Sequence, residues 1–458
     1  MLDTGDTAWM LASSALVLLM TPGLAFFYGG MVRSKSVLNM MMMSMSAMGI
    51  VAVLWVLYGY SMAFGNDLGL GLLGNPAEHA GLNGLFGGTY LAGAGSPMSI
   101  PLVGTIPATV FVAFQAMFAI ITVALVSGAT ADRLRFVPWL VFAALWATLV
   151  YFPVAHWVFS FDAPAGPAAA GGWIANDLKA IDFAGGTAVH INAGAAGLAL
   201  CLVLGRRRGW PREAMRPHNL PFVMLGAGLL WFGWFGFNAG SAVAANGVAG
   251  LAFVNTMVAT AAAMLAWLLV ERVRDGRPTS LGAASGVVAG LVAITPACSS
   301  VSPLGAIVVG AISGAVCALA VSLKFRFGFD DSLDVVAVHL VGGLVGTLLI
   351  GFLATTAAPA GVDGLLYGGG VDQLWRQAVA AVAVLAYSLT LSGIIALAVK
   401  YTIGLRLNNE AEQAGIDEAE HAEAGYEFSS ILTGSGNSRV AQPAQKIPAS
   451  ISQEGEWR

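Results

Sequence analysis

Long apolar stretches without Asp, Glu, Lys or Arg alternate with short polar segments along most of the chain. An α-helix needs roughly 20 apolar residues to cross a bilayer core of about 30 Å. Eleven stretches meet or approach that length, at 7–32, 37–64, 107–130, 136–159, 183–205, 220–243, 250–270, 280–299, 303–323, 335–354 and 377–399. This pattern predicts an all-α polytopic membrane protein with eleven transmembrane helices.

The positions of Lys and Arg predict the orientation, because cytoplasmic connections near the span ends carry the excess of positive charge. If the first span starts on the outer side of the membrane, 16 of the 21 Lys and Arg residues lie in or beside connections on the inner side. Two of the 21 lie on the outer side, and three lie near the C-terminus. We therefore expect the N-terminus outside the cell and the C-terminus inside.

Polar exceptions within the apolar spans suggest an internal repeat. The fifth span opens with Asp182 and contains His190, while the tenth opens with Asp334 and contains His339. The first and sixth spans each contain a patch rich in glycine and aromatic residues. Because an odd number of spans per half inverts the second half in the membrane, the expected arrangement is an inverted five-plus-five repeat plus one extra helix.

Composition agrees with a membrane environment, since 57% of the residues are hydrophobic and 10% are charged, against about a quarter charged in a typical soluble domain. The three cysteines lie in apolar runs without disulfide or metal-ligand spacing, so no metal or cofactor is expected. After about residue 404 the sequence changes to Glu, Ala, Ser and Gln. We expect a transmembrane domain at 1–403 and a cytoplasmic C-terminal tail at 404–458.

Two histidines lie well inside predicted spans, where an ionisable side chain is costly and usually faces a bundle interior or a pathway. Counting 1.5 Å per residue, His190 lies about 12 Å in from Asp182 on the outer side, and His339 about 7.5 Å in from Asp334 on the inner side. Both therefore approach the midplane, where two neutral imidazoles share a proton when they meet. Two alternatives stay open: each ring bonds only a backbone carbonyl, or both belong to a metal site, although no Cys, Glu or further His lies at a matching depth.

Aromatic side chains form a second constellation. Phe114 and Phe118 occupy adjacent turns of the third span, and Trp234 and Phe237 belong to a crowded part of the sixth. Most such rings pack against helices or lipid, but rings that face one another at a pore mouth hold a small cation by cation–π attraction, worth about 0.5–2 kcal/mol. Ser241, one turn beyond Phe237, is placed to accept a hydrogen bond from the same cation.

Four segments of the sequence resemble known motifs. Residues 182–192 read DFAGGTAVHIN, which is similar to the signature of the ammonium transporter (Amt/Mep/Rh) family, bacterial Amt-type. The segments 234–241 (WFGFNAGS), 294–298 (ITPAC) and 330–339 (beginning DDSLD) also resemble blocks of this family, and the resemblance extends over roughly 8–426. Asp182 itself is most simply an N-cap carboxylate that gives the site structural support.

The resemblance implies a homotrimer with one pore in each subunit. His190 and His339 match the paired pore histidines, and Phe118 and Phe237 match the phenylalanine gate. The implied outer ammonium recruitment site comprises Phe114, Phe118, Phe159, Trp234 and Ser241. At position 159 bacterial relatives commonly have tryptophan, and phenylalanine keeps the π face but is a weaker cation partner without an indole donor.

The tail segments 404–406, 415–417 and 421–426 also resemble the family, with Ala422 where a glycine is usual. This resemblance implies contacts between neighbouring subunits and, in many bacteria, binding of a PII-type regulatory protein at the cytoplasmic face. The other implied partners are ammonium or ammonia and the lipid bilayer, with no nucleic acid. The implied location is the cell inner (plasma) membrane.

These expectations define a mechanism. Ammonium is recruited at the outer aromatic site and deprotonated, ammonia crosses the twin-histidine pore, and the proton follows separately along the imidazoles, so that transport is electrogenic. An ammonium sensor is a second class, which an appended signalling domain would favour, although only about 50 residues follow the last span. A membrane-embedded enzyme is a third class, but no His-Glu-x-x-His or Gly-x-Ser-x-Gly motif occurs.

Overall fold

Apolar helices make up most of the computed structural model, which describes residues 1–88, 99–163 and 166–426. The eleven apolar helices in these ranges are α1 (Thr4–Met31), α2 (Ser34–Phe64), α3 (Ala108–Thr130), α4 (Phe136–Phe159), α5 (Gly186–Leu204), α6 (Leu220–Gly240), α7 (Gly247–Arg274), α8 (Ser280–Ile294), α9 (Pro303–Phe327), α10 (Val336–Leu353) and α11 (Asp372–Thr402). A two-residue hairpin, β1 (Leu102–Val103) and β2 (Ile106–Pro107), precedes α3. Two short helices, α12 (Asn409–Ala414) and α13 (Ile416–His421), follow α11.

The helical fold predicted from the apolar stretches is confirmed, and ten helices in the described ranges are long and apolar enough to cross a membrane. The exception is α8, which has 15 residues. Its predicted stretch extended to residue 299, but the helix ends at Ile294 and residues 295–300 form turns. The count of eleven membrane crossings and the direction of the termini stay predictions.

Four of the long helices contain π-helical segments, which have an i→i+5 hydrogen-bond pattern, are rare in proteins and occur frequently at functional sites. Two of these segments open their helices, Gly186–Ile191 in α5 and Val336–Val341 in α10. Each of the two contains one of the predicted pore histidines, His190 or His339. The other two are Trp55–Gly59 in α2 and Ala147–Tyr151 in α4.

Glycines let α1 and α6 pack closely against each other. A Cβ atom at Gly226 would lie 2.3 Å from the backbone nitrogen of Phe27, and one at Gly233 would lie 2.3 Å from the Cγ atom of Met20. Small residues at such crossings permit the close backbone approach that drives helix association in a membrane. These glycines thus lie along one interface between α1 and α6.

The aspartate that binds the first turn of α10 is not the one that the sequence pattern suggested. Asp334, predicted as the counterpart of Asp182, has a positive φ of 62° and pairs with Lys324 at 2.7 Å. Asp331 instead accepts a hydrogen bond from the backbone N–H of Val336, at the start of α10, over 2.7 Å. Sequence position alone favoured the acidic residue nearest the span, whereas a helix cap needs a carboxylate that folds back over the first turn.

A buried ion-pair network joins the connections at one end of the bundle. The guanidinium group of Arg207 donates two hydrogen bonds to the carboxylate of Asp330, over 2.8 and 2.9 Å, and lies 3.2 Å from Asp132. Burial alone would raise the pKa of Asp132 and of Asp330, but the charge of Arg207 outweighs it and lowers both. The network fixes the α3–α4, α5–α6 and α9–α10 connections relative to one another.

The described part of the tail packs against these same connections. The backbone N–H of Leu407 donates to the carbonyl oxygen of Arg133 over 3.0 Å, and that of Arg135 donates to Leu405 over 3.1 Å. The Asp417 carboxylate accepts from two backbone N–H groups near the start of α2, over 2.8 and 3.0 Å. The remainder of the predicted tail, 427–458, lies outside the described residues.

Candidate functional site

An aromatic cavity of about 380 Å³ opens at the end of the bundle where α3 begins and α6 ends. Three of the residues predicted for ammonium recruitment line it, namely Phe118, Phe159 and Ser241. Phe159 meets Phe118 edge to face, with the ring centroids 6.3 Å apart and an interplanar angle of 77°. The complete lining is Val103, Gly104, Thr105, Phe111, Gln115, Phe118, Phe159, Phe161, Gly166, Pro167, Phe183, Ser241, Ala242 and Val243. We call this space the outer cavity.

The hydroxyl group of Ser241 is oriented to accept hydrogen bonds in the outer cavity. Its Oγ–H donates to the carbonyl oxygen of Phe237 over 2.8 Å, at the last turn of α6. A hydroxyl has one proton and two acceptor lone pairs, so a proton committed to the backbone leaves the lone pairs for a donor. An ammonium ion offers only donors and therefore suits this orientation.

Two predicted recruitment residues lie beside the outer cavity without lining it. Phe114 is fully buried and packs edge to face behind Phe118, with centroids 4.9 Å apart. Trp234 lies farther into the protein, where its indole N–H donates to Thr295 Oγ1 over 2.8 Å. It precedes Phe237 by three residues on α6, which places it about 4.5 Å deeper along the helix axis.

Loop residues complete the outer cavity, and the sequence prediction missed them. Phe161 follows α4, Phe183 precedes α5, and Thr105 lies in the β1–β2 turn. These residues come from connections far apart in the sequence, so no spacing pattern links them. The signature 182–192 contains Phe183 and is the one signal that pointed to any of them.

A pair of stacked rings separates the outer cavity from the space below it. The centroids of Phe118 and Phe237 lie 4.2 Å apart with an interplanar angle of 25°. Both side chains are buried, with relative exposures of 2% and 0%. Phe118 lines the outer cavity and Phe237 lines the next one, so the two rings form the boundary that was predicted as a gate.

The second space, the inner cavity, is narrow and apolar. Its volume is about 10 Å³, which is roughly the space that one water-sized molecule needs. Among its lining residues only His190, His339 and Trp234 carry polar side-chain atoms, and none is acidic or permanently charged. The others are Met20, Leu24, Phe27, Ile121, Leu125, Val189, Leu230, Phe237 and Val288.

The two histidines meet at the inner cavity, as the depth argument from the sequence anticipated. The Nδ1 atoms of His190 and His339 lie 3.3 Å apart, and the rings are 5.4 Å apart with an interplanar angle of 29°. Their relative exposures are 1% and 3%. A hydrogen bond between two Nδ1 atoms requires that one donates and the other accepts, so the neutral pair has opposite tautomers and one shared proton.

Two alternatives for the histidines were rings that bond only a backbone carbonyl and rings that belong to a metal site. Each Nδ1 atom faces the other imidazole, and not a backbone carbonyl. His190 Nε2 has no hydrogen-bond partner among the residues that the structure describes, although it is buried. Within residues 1–88, 99–163 and 166–426 no group of three or more His, Cys, Asp or Glu residues is arranged to hold a metal ion.

Asp182 holds the start of the π-helical segment that contains His190. Its two carboxylate oxygens accept hydrogen bonds from the backbone N–H groups of Gly185, Gly186 and Thr187 over 2.6–2.8 Å, and from the Thr187 hydroxyl. Gly185 has a φ of 120°, a conformation that favours glycine. The carboxylate is saturated by these donors and lies outside the lining of the outer cavity.

Comparison with known proteins identifies the family. Residues 8–426 match the model of the Ammonium Transporter Family. A protein named ammonium transporter from Mycobacterium tuberculosis is 70% identical over 443 residues, which cover 94% of this chain and 92% of the relative. The crystal structure of Saccharomyces cerevisiae Mep2 has a TM-score of 0.79 and 35% identity, covering 89% of this chain and 88% of that one. A solved structure described as a sensor Amt protein has a TM-score of 0.80 and 28% identity, covering 91% and 98%. Family, relatives and structures agree on a multi-pass membrane protein for ammonium transport, and not an enzyme, so this chain belongs to the ammonium transporter family.

Proposed function

We propose that this chain recruits ammonium in the outer cavity, removes one proton from it, and conducts ammonia through the inner cavity while the proton crosses separately along His190 and His339. The observation that carries the proposal is the 3.3 Å contact between the two Nδ1 atoms at a cavity that has no charged lining residue. A hydrogen-bonded imidazole pair offers a proton path where a bare cation has none.

Recruitment depends on the outer cavity. Phe118 and Phe159 present π faces and Ser241 presents its lone pairs, while Phe114 and Trp234 support the neighbouring rings from behind. Cation–π attraction of about 0.5–2 kcal/mol and one hydrogen bond replace part of the ion's hydration. The binding is weak enough for the ion to be delivered onward.

Deprotonation follows from the cost of taking a charge into the inner cavity. An ion in an apolar membrane interior costs at least a few kcal/mol, whereas neutral ammonia avoids that penalty. The stacked Phe118 and Phe237 rings exclude a hydrated ion and open only for a small neutral molecule. Potassium has no proton to lose and is rejected at this step.

The released proton moves through the two imidazoles. His190 Nε2 lies without a partner in the described structure, and His339 lies on the other side of the shared hydrogen bond. A proton that enters one ring and leaves the other reverses both tautomers, so each ring has to return to its first tautomer before another proton crosses in the same direction. One positive charge then crosses for each ammonia molecule, which makes transport electrogenic.

We assign the remaining architecture in the same way. Residues 1–403 form the transmembrane domain with eleven crossings in an inverted five-plus-five repeat plus one helix, and 404–458 form the cytoplasmic regulatory tail. The protein is a homotrimer in the cell inner (plasma) membrane, with its N-terminus outside and its C-terminus inside. The tail offers a docking surface for a PII-type regulatory protein near the basic inner connections.

Currents from proteoliposomes on a solid-supported membrane test the mechanism. His190→Ala and His339→Ala should each reduce the ammonium-driven current or allow a potassium-driven current, because each removes half of the proton path. His79→Ala, in the connection after α2, is the matched control and should keep both current and selectivity. Unchanged current and selectivity in both pore variants would refute the paired relay.

A further inference from the structure

Asp331 stands in the same relation to His339 as Asp182 does to His190. Each aspartate precedes its histidine by eight residues, and each binds backbone N–H groups at the start of a π-helical segment. The Asp331 Oδ2 atom accepts from the N–H of Val336, the first residue of the segment that contains His339. Both halves of the molecule therefore use a carboxylate to hold the turn before a pore histidine.

The two carboxylates differ in how well their oxygens are satisfied. Both oxygens of Asp182 accept hydrogen bonds. Asp331 is buried with a relative exposure of 1%, and its Oδ1 atom has no hydrogen-bond partner within the described residues. A buried carboxylate oxygen without a donor destabilises the charged form. Asp331 is therefore the one of the pair that is poised to take up a proton.

Several ionisable groups surround Asp331. Asp334 follows on the same connection, Lys324 comes from α9, Tyr28 from α1 and Cys201 from α5. Burial and the charge of Asp334 raise the pKa of Asp331 to about 7, although Lys324 and the backbone N–H donors act in the opposite direction. The ionisation state of this cap thus changes within the ordinary range of cytoplasmic pH.

We infer that Asp331 is a positioning residue for ammonium conduction: its carboxylate holds the first turn of α10 so that His339 meets His190, and its protonation loosens that turn. The inference rests on the proposed function, because it matters for transport only if the histidine pair conducts. A charged acceptor binds an N–H group about twice as strongly as a neutral one. Protonation of Asp331 therefore weakens the contact to Val336 and lowers the fraction of pores with the imidazoles in register.

The sign of the pH effect follows from the raised pKa. Above pH 7 Asp331 is ionised and the cap is strong, whereas the cap weakens as the pH falls through about 7. Ammonium remains the dominant species in solution throughout this range, so the decline in current reports the protein. Removal of the like charge in Asp334→Asn should lower the pKa of Asp331 and move the midpoint to lower pH.

The test compares currents between pH 5.5 and 8 for the wild type, Asp331→Asn and Asp334→Asn in proteoliposomes with equal pH on both sides. The asparagine at 331 keeps size and one acceptor but is always neutral. Its current at pH 8 should be about fivefold lower than that of the wild type, and its pH dependence near 7 should be absent. Asp334→Asn should keep the current at pH 8 and shift the midpoint downward.

The outcomes separate the inference from the proposed function. A folded Asp331→Asn protein with wild-type current and midpoint would overturn the inference. If that variant does not fold, an unshifted midpoint in Asp334→Asn would overturn it as well. The parallel His339→Ala measurement tells the two claims apart: an unimpaired His339→Ala refutes the proposed function, while an impaired His339→Ala beside an unaffected Asp331→Asn refutes only the positioning role.

Discussion

Phe159 offers a direct test of how the outer cavity holds its cation. The residue ends α4, lines the outer cavity and meets Phe118 edge to face. We predict that Phe159→Trp strengthens recruitment, because tryptophan has the strongest cation–π attraction of the aromatic side chains. The cavity of about 380 Å³ has room for the larger indole.

The size of the effect follows from the difference between the two rings. A partly exposed cation–π contact is worth about 0.5–1 kcal/mol, and tryptophan is the strongest partner, so we take a gain of up to this size for the indole. Since about 1.4 kcal/mol corresponds to a tenfold change in affinity, the half-saturating ammonium concentration should fall by about two- to fivefold. The maximal current should stay the same, because the substitution keeps an aromatic ring beside Phe118 and changes neither the stacked rings themselves nor the histidines.

The assay is the concentration dependence of ammonium-driven current on a solid-supported membrane. Phe253→Trp is the matched control, because Phe253 is exposed on α7 and stacks on Phe235 at 4.0 Å, away from the outer cavity. A half-saturating concentration that is unchanged in Phe159→Trp would contradict cation–π recruitment at this ring. An equal fall of the half-saturating ammonium concentration in Phe253→Trp would show that the change arises from the membrane and not from the outer cavity.

Two further predictions concern the end of the bundle where the tail packs. Arg207→Gln leaves Asp330 buried without its cation and leaves Asp132 with Arg33 alone, so the free energy of unfolding should fall by about 3–5 kcal/mol, measured as thermal unfolding in detergent. Arg376→Gln, in an exposed pair, should cost under about 1 kcal/mol. Because Arg207 lowers the pKa of both carboxylates, the stabilisation by these ion pairs is present above about pH 4 and is lost as the pH falls below it. The difference in unfolding free energy between wild type and variant should therefore shrink in acid. An undiminished difference would contradict the ion-pair explanation. Asp417→Ala removes two hydrogen bonds to the start of α2, and hydrogen exchange in 404–426 should rise by at least tenfold; unchanged exchange would show that other contacts hold the tail.

The helical architecture was predictable because the bilayer imposes a length on every uncharged stretch. Helix ends were less predictable where polar residues extend or interrupt a helix. α11 begins at Asp372, five residues before its apolar stretch, and Asp372 pairs with Arg376 at 2.7 Å within the first turn. α8 ends at Ile294, before the Thr295 that binds Trp234. An ion pair within the first turn extends α11, and Pro296, which lacks a backbone N–H, follows the end of α8. A hydropathy average registers neither effect.

The histidine pair was predictable for a different reason, since an ionisable side chain in an apolar span stands out in any sequence. The contacts of the side chains around the pair were not predictable in this way. Trp234 and Phe237 are three residues apart on one helix, and only the axial rise assigns the first to the inner cavity and the second to the boundary. Asp331 and Asp334 are equally acidic, and only the fold of the connection decides which one caps α10. Sequence patterns indicate which residues are unusual, whereas contacts across helices decide what each of them touches.

The distribution of charge around the pore gives the strongest argument for separate paths of proton and ammonia. In the described structure Asp182 and Asp331, which precede the two histidines by eight residues each, bind the backbone N–H groups that open α5 and α10 and do not line the inner cavity. A cation in that cavity would meet neither a carboxylate nor a ring of carbonyl oxygens to replace its hydration, which is how selective cation pores lower the cost of entry. The groups that can receive a proton there are the imidazoles of His190 and His339, already joined by one hydrogen bond. The free-energy cost of entering the inner cavity is therefore lowest for a neutral base that has already lost its proton. Ammonium can lose a proton, whereas potassium cannot.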